Sequence, residues 1–178
     1  MITVHSRVKF WRYTGLLCLL LLTHVTDAAS FKLFSPGLFH GQTVATKYTC
    51  VGEDISPALS WYNVPANTKS FVVIVKDPDA PGGIWYHWLL YNIPADVTRL
   101  PEGMPYLPKG AVEGYKSWSQ RGYNGPCPSR GQTHHYIYMV YALDIMLPTD
   151  KSLTPHAVYH YMQGHILAEN SIHGVFGR

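Results

Sequence analysis

Between residues 31 and 144 the apolar residues come in short runs, each closed by proline or glycine, which is the rhythm of strands and turns. The run at 71–76 (FVVIVK) is apolar almost without a break and predicts a central strand buried on both faces. Runs at 85–93 (WYHWLLYNI) and 136–144 (YIYMVYALD) predict two more long strands, and 31–33, 47–49 and 59–62 predict shorter ones. Helical spacing comes late. Thr154 followed by Pro155 reads as an N-cap with proline at the first helical position. Val158, Tyr161, Met162 and Leu167 then fall on roughly one face, so the spacing predicts a helix from 154 to about 168, interrupted near Gly164. Residues 171–176 (SIHGVF) predict a final strand. The pattern is that of one mainly β domain with a peripheral C-terminal helix, without an internal repeat or a dividing linker.

The first 28 residues follow a different pattern. Arg7, Lys9 and Arg12 precede an uncharged run at 15–22 (GLLCLLLL), and Thr26-Asp27-Ala28 offers small residues at the two positions a signal peptidase reads. A run of 8 residues is far short of the roughly 20 that a membrane span needs. Leu17 stands before Cys18 where lipoprotein processing requires a small residue. Residues 1–28 therefore read as a secretory signal cleaved after Ala28, leaving a domain at 29–178 that is secreted or periplasmic and has no membrane span.

Composition narrows the functional classes. The 178 residues are 47% hydrophobic and only 14% charged, with 15 glycines and 13 prolines, which argues against long disordered or coiled-coil segments. The formal net charge is +3, but Arg7, Lys9, Arg12 and Asp27 leave with the signal, so 14 basic and 11 acidic residues become 11 and 10. No cluster of lysine and arginine survives to neutralise phosphates, and nucleic-acid binding is excluded. Of the three cysteines, Cys50 and Cys127 remain, each in a Gly/Pro-rich loop; an even count in an exported protein predicts that they form a disulfide.

Candidate chemistry sits where polar groups interrupt apolar strands. Asp77 and Asp79 follow the buried run directly, in DPDAP, where Pro78 and Pro81 stiffen the exit and fix the direction of the carboxylates. His87 lies inside WYHWLLY; alternation places it with Trp85, Leu89 and Tyr91, and Tyr86 and Trp88 on the opposite face. His134 and His135 are adjacent in an extended segment, so at most one of them shares a site with His87. The loop GYNGPCPSRG at 122–131 combines glycines, whose backbone N–H groups can converge on an anion, with prolines that stiffen it. No nucleophile elbow, Walker, dinucleotide-binding or HExxH signature is present.

Four segments together, CVGEDISPALSW (50–61), DPDAP (77–81), GIWYHW (83–88) and GYNGPCPSRGQTHHY (122–136), resemble the signature blocks of the phosphatidylethanolamine-binding protein family, in particular its bacterial and archaeal Raf-kinase-inhibitor-like branch. The resemblance covers almost all of 29–178. It implies a β-sandwich with a large central sheet and a small pocket for phosphate, acetate or a phosphorylated head group. By motif, the pocket residues it implies are Asp77, Trp85, His87, Gly125, Pro126, Pro128, His134 and Tyr136. This chain departs from the family pattern at His135, where arginine is common, and at Ser129-Arg130, where a further proline is common.

The expectation is a cofactor-free, non-enzymatic binding protein. Its ligand is small and anionic or phosphorylated, a phospholipid head group being one such ligand, and a protein partner such as a protease or kinase is a further candidate. In that reading His87, His134 and the loop amides donate hydrogen bonds and Asp77 accepts one. The alternative is a metal-dependent enzyme, because Asp77, His87 and His134 have the inventory of a two-histidine, one-carboxylate site.

Overall fold

The computed structural model describes residues 29–149 and 153–178; the signal segment expected at 1–28 lies outside them. Strands β1 (Lys32–Phe34), β2 (Leu59–Tyr62), β3 (Ser70–Asp77), β4 (Trp85–Pro94), β5 (Arg99–Leu100), β6 (Val112–Glu113), β7 (Thr133–Leu143) and β8 (Ile166–Gly177) are joined by one α-helix, α1 (Pro155–Met162). All paired strands run antiparallel. They build a small sheet in the order β1-β2-β5 and a large one in the order β6-β4-β3-β7-β8. The mainly β architecture with a late helix is the expected one. Among the described residues no helix is long and apolar enough to cross a membrane.

The unbroken apolar run of β3 has a direct cause in its central position. Phe71, Val73 and Val75 enter a core shared with Leu59 and Trp61 of the small sheet, whereas Val72 and Ile74 enter a second core closed by Val158 and Met162 of α1. All five β3 residues are inaccessible to solvent. A strand covered on both faces has no polar face to show, so period-2 alternation disappears.

Two expected elements are corrected. Residues 47–49 are not a strand: Thr46–Tyr48 form a single 3-10 turn, fixed by Thr49, whose N–H and hydroxyl both donate to the Thr46 carbonyl at 3.0 and 2.8 Å. The helix is also shorter than its spacing suggests. It begins as read, with the Thr154 hydroxyl accepting from the Ala157 N–H at 3.3 Å, but it ends at Met162. Gly164, at φ 77°, turns the chain back through the left-handed region, where glycine carries no Cβ penalty. Strand β8 then starts at Ile166 and pairs with β7 from Leu143 to Thr133, so Leu167 belongs to a strand and the final strand is twice the expected length.

Candidate functional site

Three strand ends meet at one corner of the large sheet: the last residue of β3 is Asp77, the first of β4 is Trp85, and the second of β7 is His134. They open onto a cavity of ≈ 310 Å³ whose polar lining is Asp77, His87, Ser129 and His134. Trp85, Trp118, Ala80, Pro81, Cys127 and Pro128 supply the rest of its wall. The ionisable side chains of this lining are one aspartate and two histidines, with no lysine or arginine.

His87 reaches the cavity through an irregularity in the sheet. Val75 pairs with Trp88 and the next β3 residue, Lys76, pairs with Tyr86, so β4 carries one extra residue at His87. Such a bulge re-aims a side chain. It corrects the alternation argument: Trp85 and His87 do line the same cavity, but Leu89 and Tyr91 pack in the second core and Trp88 in the first. Without the extra residue, Trp88 and His87 would point to opposite faces.

The ring of His87 is buried and stands edge-on to Tyr136 and Trp118, at centroid distances of 5.3 and 5.0 Å. Its Nδ1 lies 2.9 Å from the carbonyl oxygen of Asn124 and 3.1 Å from that of Gly125. Two carbonyls can only accept, so Nδ1 carries the hydrogen and donates. Burial lowers the pKa of the imidazole, the loop carbonyls and the charge of Asp77 opposing that shift. The neutral ring therefore presents Nε2 as an acceptor. This corrects the expected donor role, since the N–H of neutral His87 is already committed to the loop.

Asp77 and His134 form a buried pair, with the Nδ1–H of His134 donating to Asp77 Oδ2 at 2.7 Å. The other oxygen, Oδ1, accepts from the N–H of Asp79 at 2.8 Å, the turn bond that the DPDAP sequence favours. His135 points away, as adjacency in a strand requires, and pairs at the surface with Asp79 at 2.6 Å. The backbone N–H of His135, which donates to the same oxygen at 2.7 Å, and then that side-chain contact hold the Asp79 carboxyl below its ordinary pKa.

Not every expected residue reaches the cavity. Tyr136 supports it from beneath, its ring between those of His87 and His134. Burial, and then the charge of Asp77, raise the pKa of its hydroxyl far above the ordinary tyrosine value. Gly125 and Pro126 act through their backbones: the Gly125 carbonyl accepts from His87, its N–H donates to Asp54 Oδ1 at 2.6 Å, and the Pro126 carbonyl accepts from the N–H of Cys50 at 3.2 Å. Within the loop the amides of Asn124, Gly125 and Gly131 donate to His87, Asp54 and Arg178, so the N–H groups of Gly125 and Gly131 are committed to the fold and do not face an anion. Cys50 and Cys127 are joined in a disulfide, their Cα atoms 5.4 Å apart, and Cys127 is part of the cavity wall.

Two contributors escaped the sequence reading. Trp118 closes one side of the cavity, edge-on to Trp85 at 5.3 Å. Its only signal was an aromatic side chain isolated in a polar loop, KSWSQR. Asp54, inside CVGEDISPALSW, holds the 122–131 loop by accepting from Gly125 N–H and from Asn124 Nδ2 at 2.9 Å. The alternative metal centre lacks its ligand set: among the described residues no group of three His, Cys, Asp or Glu side chains is placed to hold a metal ion, and Asp77 and His134 turn their facing atoms on each other.

Comparison with known proteins agrees with this architecture. The family model described as phosphatidylethanolamine-binding protein matches residues 34–177. A curated protein of Methanothermobacter thermautotrophicus, named UPF0098 protein, is 44% identical over 138 residues, which is 76% of this chain and 91% of that one. One of the same name from Aquifex aeolicus is 40% identical, covering 84% of this chain and 90% of the relative. Among solved structures, a phosphatidylethanolamine-binding protein homolog of Chlamydia trachomatis superposes with a TM-score of 0.78 at 36% identity, over 84% of this chain and 98% of that one. YbcL of E. coli, described as a member of the mammalian family, gives 0.79 at 36% identity, over 84% and 99%.

Proposed function

The chain belongs to the phosphatidylethanolamine-binding protein family, and from that premise we propose that it is an exported binding protein whose corner cavity takes a small anionic group: phosphate, a phosphorylated molecule or a phospholipid head group. The observation that carries this reading is the buried Asp77–His134 pair facing the acceptor nitrogen of His87 in one aromatic-walled cavity.

The charges of the lining select among anions. With no lysine or arginine in the wall, a dianion would meet Asp77 without compensation, whereas a monoanion that keeps a P–OH group has a hydrogen for Asp77 or for His87 Nε2 to accept. The Ser129 hydroxyl, and Nε2 of His134 when that ring is doubly protonated, supply donors for the remaining oxygens. The second pKa of a phosphomonoester is about 6, so affinity should fall as pH rises from about 6 to 7.5. Calorimetric titration with a phosphomonoester across that range tests the reading. Asp77→Asn should flatten the profile by removing the repulsion, and His134→Ala should weaken binding by roughly 1.5 to 3 kcal/mol wherever Nε2 of the parent ring carries a hydrogen, the contribution of a hydrogen bond to a charged group. A profile without pH dependence, or unchanged affinity in His134→Ala, would refute the assignment.

Support for export comes from the basic, apolar and small-residue succession in 1–28 and from the chemistry of a disulfide, which persists in oxidising compartments. A partner protein that reads the filled pocket, a protease or kinase among the candidates, belongs to the same proposal and rests on the family alone.

A further inference from the structure

The two halves of the disulfide differ in access. Cys127 is exposed and belongs to the wall of the corner cavity, whereas Cys50 is half-buried and outside that wall. Both sulfurs face one cation: Nη1 of Arg178 lies 3.3 Å from Sγ of Cys127 and 3.5 Å from Sγ of Cys50. The backbone fixes Arg178 there. Its N–H donates to the Gln132 carbonyl at 3.2 Å, and its backbone oxygen accepts from the Gly131 N–H at 2.6 Å, at the end of the loop that carries Cys127.

A disulfide sulfur is a weak acceptor and gains little from a guanidinium. A thiolate gains much more: beside arginine a thiol pKa falls from its ordinary value of about 8.5 to about 3.5–7.5. Arg178 therefore favours the cleaved pair over the intact bond. The opposing charge is Asp54, which lines a second cavity of ≈ 250 Å³ together with both cysteines. Its oxygens accept from Gly125 N–H at 2.6 Å and Asn124 Nδ2 at 2.9 Å, so its charge is drawn into the fold. Holding two segments together requires neither an exposed sulfur nor a cation beside the bond. Accessible disulfides whose thiolates are stabilised are the ones that exchange.

We propose that Cys50–Cys127 is a thiol–disulfide exchange site for an external dithiol, with Cys127 the residue attacked and Arg178 the group that stabilises each departing thiolate. One thiolate of the dithiol bonds to Sγ of Cys127. The Cys50–Cys127 bond breaks, and its electron pair leaves on Sγ of Cys50, 3.5 Å from the guanidinium. The second thiol of the dithiol, deprotonated, then attacks its own partner sulfur in the mixed disulfide and releases Cys127 as a thiolate, 3.3 Å from the same nitrogen. The protein gains two electrons, and its cysteines take from solvent the two protons that the dithiol has given up; the dithiol departs as a disulfide. The reverse sequence re-forms the bond. Cys50 N–H to Pro126, and Asp54 to Gly125 and Asn124, keep the two segments together throughout.

Reduction of the folded exported protein by dithiothreitol, read by alkylation of the freed thiols, tests this. The rate should rise in proportion to dithiothreitol and stay constant in denaturant below the unfolding transition, because exchange needs no opening of the fold. A rate independent of dithiothreitol, or one that climbs with denaturant as steeply as unfolding does, would overturn the proposal, since the bond would then be reached only in the unfolded chain. Acid quenching after 2-mercaptoethanol should trap the mixed disulfide on Cys127; an adduct on Cys50 alone would overturn attack at Cys127. Arg178→Gln should slow reduction about threefold, the effect of a departing thiol about one pKa unit more basic, and Arg178→Lys should recover part of the loss. The pH profile of alkylation separates charge from structure. In Cys50→Ser, Cys127 should titrate below about 8.5, and adding Arg178→Gln should raise it towards that value. Asp54, Asp77, His87 and His134, which share the two cavities with Cys127, are present in both proteins and cancel in the difference. Identical profiles and reduction rates with and without Arg178 would overturn its assignment.

Discussion

His87 shows how one side chain serves both fold and site. Its Nδ1–H fastens the 122–131 loop to β4, its ring fills the space between Tyr136 and Trp118, and its Nε2 is left for the cavity. The same burial that keeps it neutral makes it a source of acid sensitivity. In the unfolded chain the ring titrates near 6.5; in the folded protein its pKa is lower, chiefly through desolvation. Between the two values the unfolded chain binds a proton that the folded protein does not, so the stability contributed by neutral His87 is complete above about pH 6.5 and is lost as pH falls towards the folded value. The slope from one such group is at most about 1.4 kcal/mol per pH unit. Denaturant unfolding of the protein and of His87→Gln between pH 7 and 5 should give the variant lower stability at pH 7 and a shallower fall on acidification. His173, whose pKa is also lowered by burial, contributes equally to both and cancels in the difference. Parallel curves would show that His87 is not the source.

At the scale of elements, what the sequence made legible and what it hid divide along a physical line. Strand β3 was plain because two covered faces leave an apolar run that only a central strand explains, and Asp77, His87 and His134 stood out as polar groups inside or beside such runs. The bulge was hidden because alternation counts residues on one strand, and whether His87 has a partner depends on the register with β3. The end of α1 was hidden for a similar reason: Ile166 and Leu167 suit a helix face or a strand, and only pairing with β7 decides. The 122–131 loop was flagged by composition, yet its glycines read as anion donors, when Gly125 is needed for close approach. A Cβ at position 125 would collide with the Tyr48 carbonyl, which also accepts from the Tyr123 hydroxyl at 2.8 Å. Gly125→Ala should therefore push the loop off the 3-10 turn at Thr46–Tyr48 and draw the Gly125 carbonyl and amide away from His87 and Asp54. The expected outcome is a loss of roughly 1 to 3 kcal/mol in thermal or denaturant unfolding, the range for a forced fit in a packed interior, together with loss of ligand binding. Binding retained at wild-type strength would mean that the loop does not organise the cavity.

For the whole molecule, the disulfide is the covalent tie between the two segments that frame the site. Cys50 follows the 3-10 turn, Cys127 sits in the loop beneath the cavity, and 77 positions separate them. Those positions include strands β2 to β6, so the bond closes a loop around much of the large sheet and most of the small one. In the chain-entropy account, restricting the unfolded chain over such a loop contributes about 4 kcal/mol, a large share of the 5–15 kcal/mol typical of a domain. Non-covalent contacts hold the same junction: Cys50 N–H to Pro126, Asp54 to Gly125 and Asn124, and Tyr123 to Tyr48. The local geometry should therefore outlast loss of the bond, and the deficit should appear in unfolding far more than in affinity. Cys50→Ser combined with Cys127→Ser is expected to lower unfolding free energy by about 2 to 5 kcal/mol while changing phosphomonoester affinity less than tenfold. Protein recovered from the exported fraction should begin at Ala29 and yield a Cys50–Cys127 peptide pair under non-reducing mapping. Exported material that begins at Met1 would end the signal-peptide reading, and free thiols at both positions would show that the unfolding deficit of the double variant has another origin. A large loss of affinity in a variant that remains folded would make the disulfide, in place of the hydrogen-bonded junction, the element that shapes the cavity.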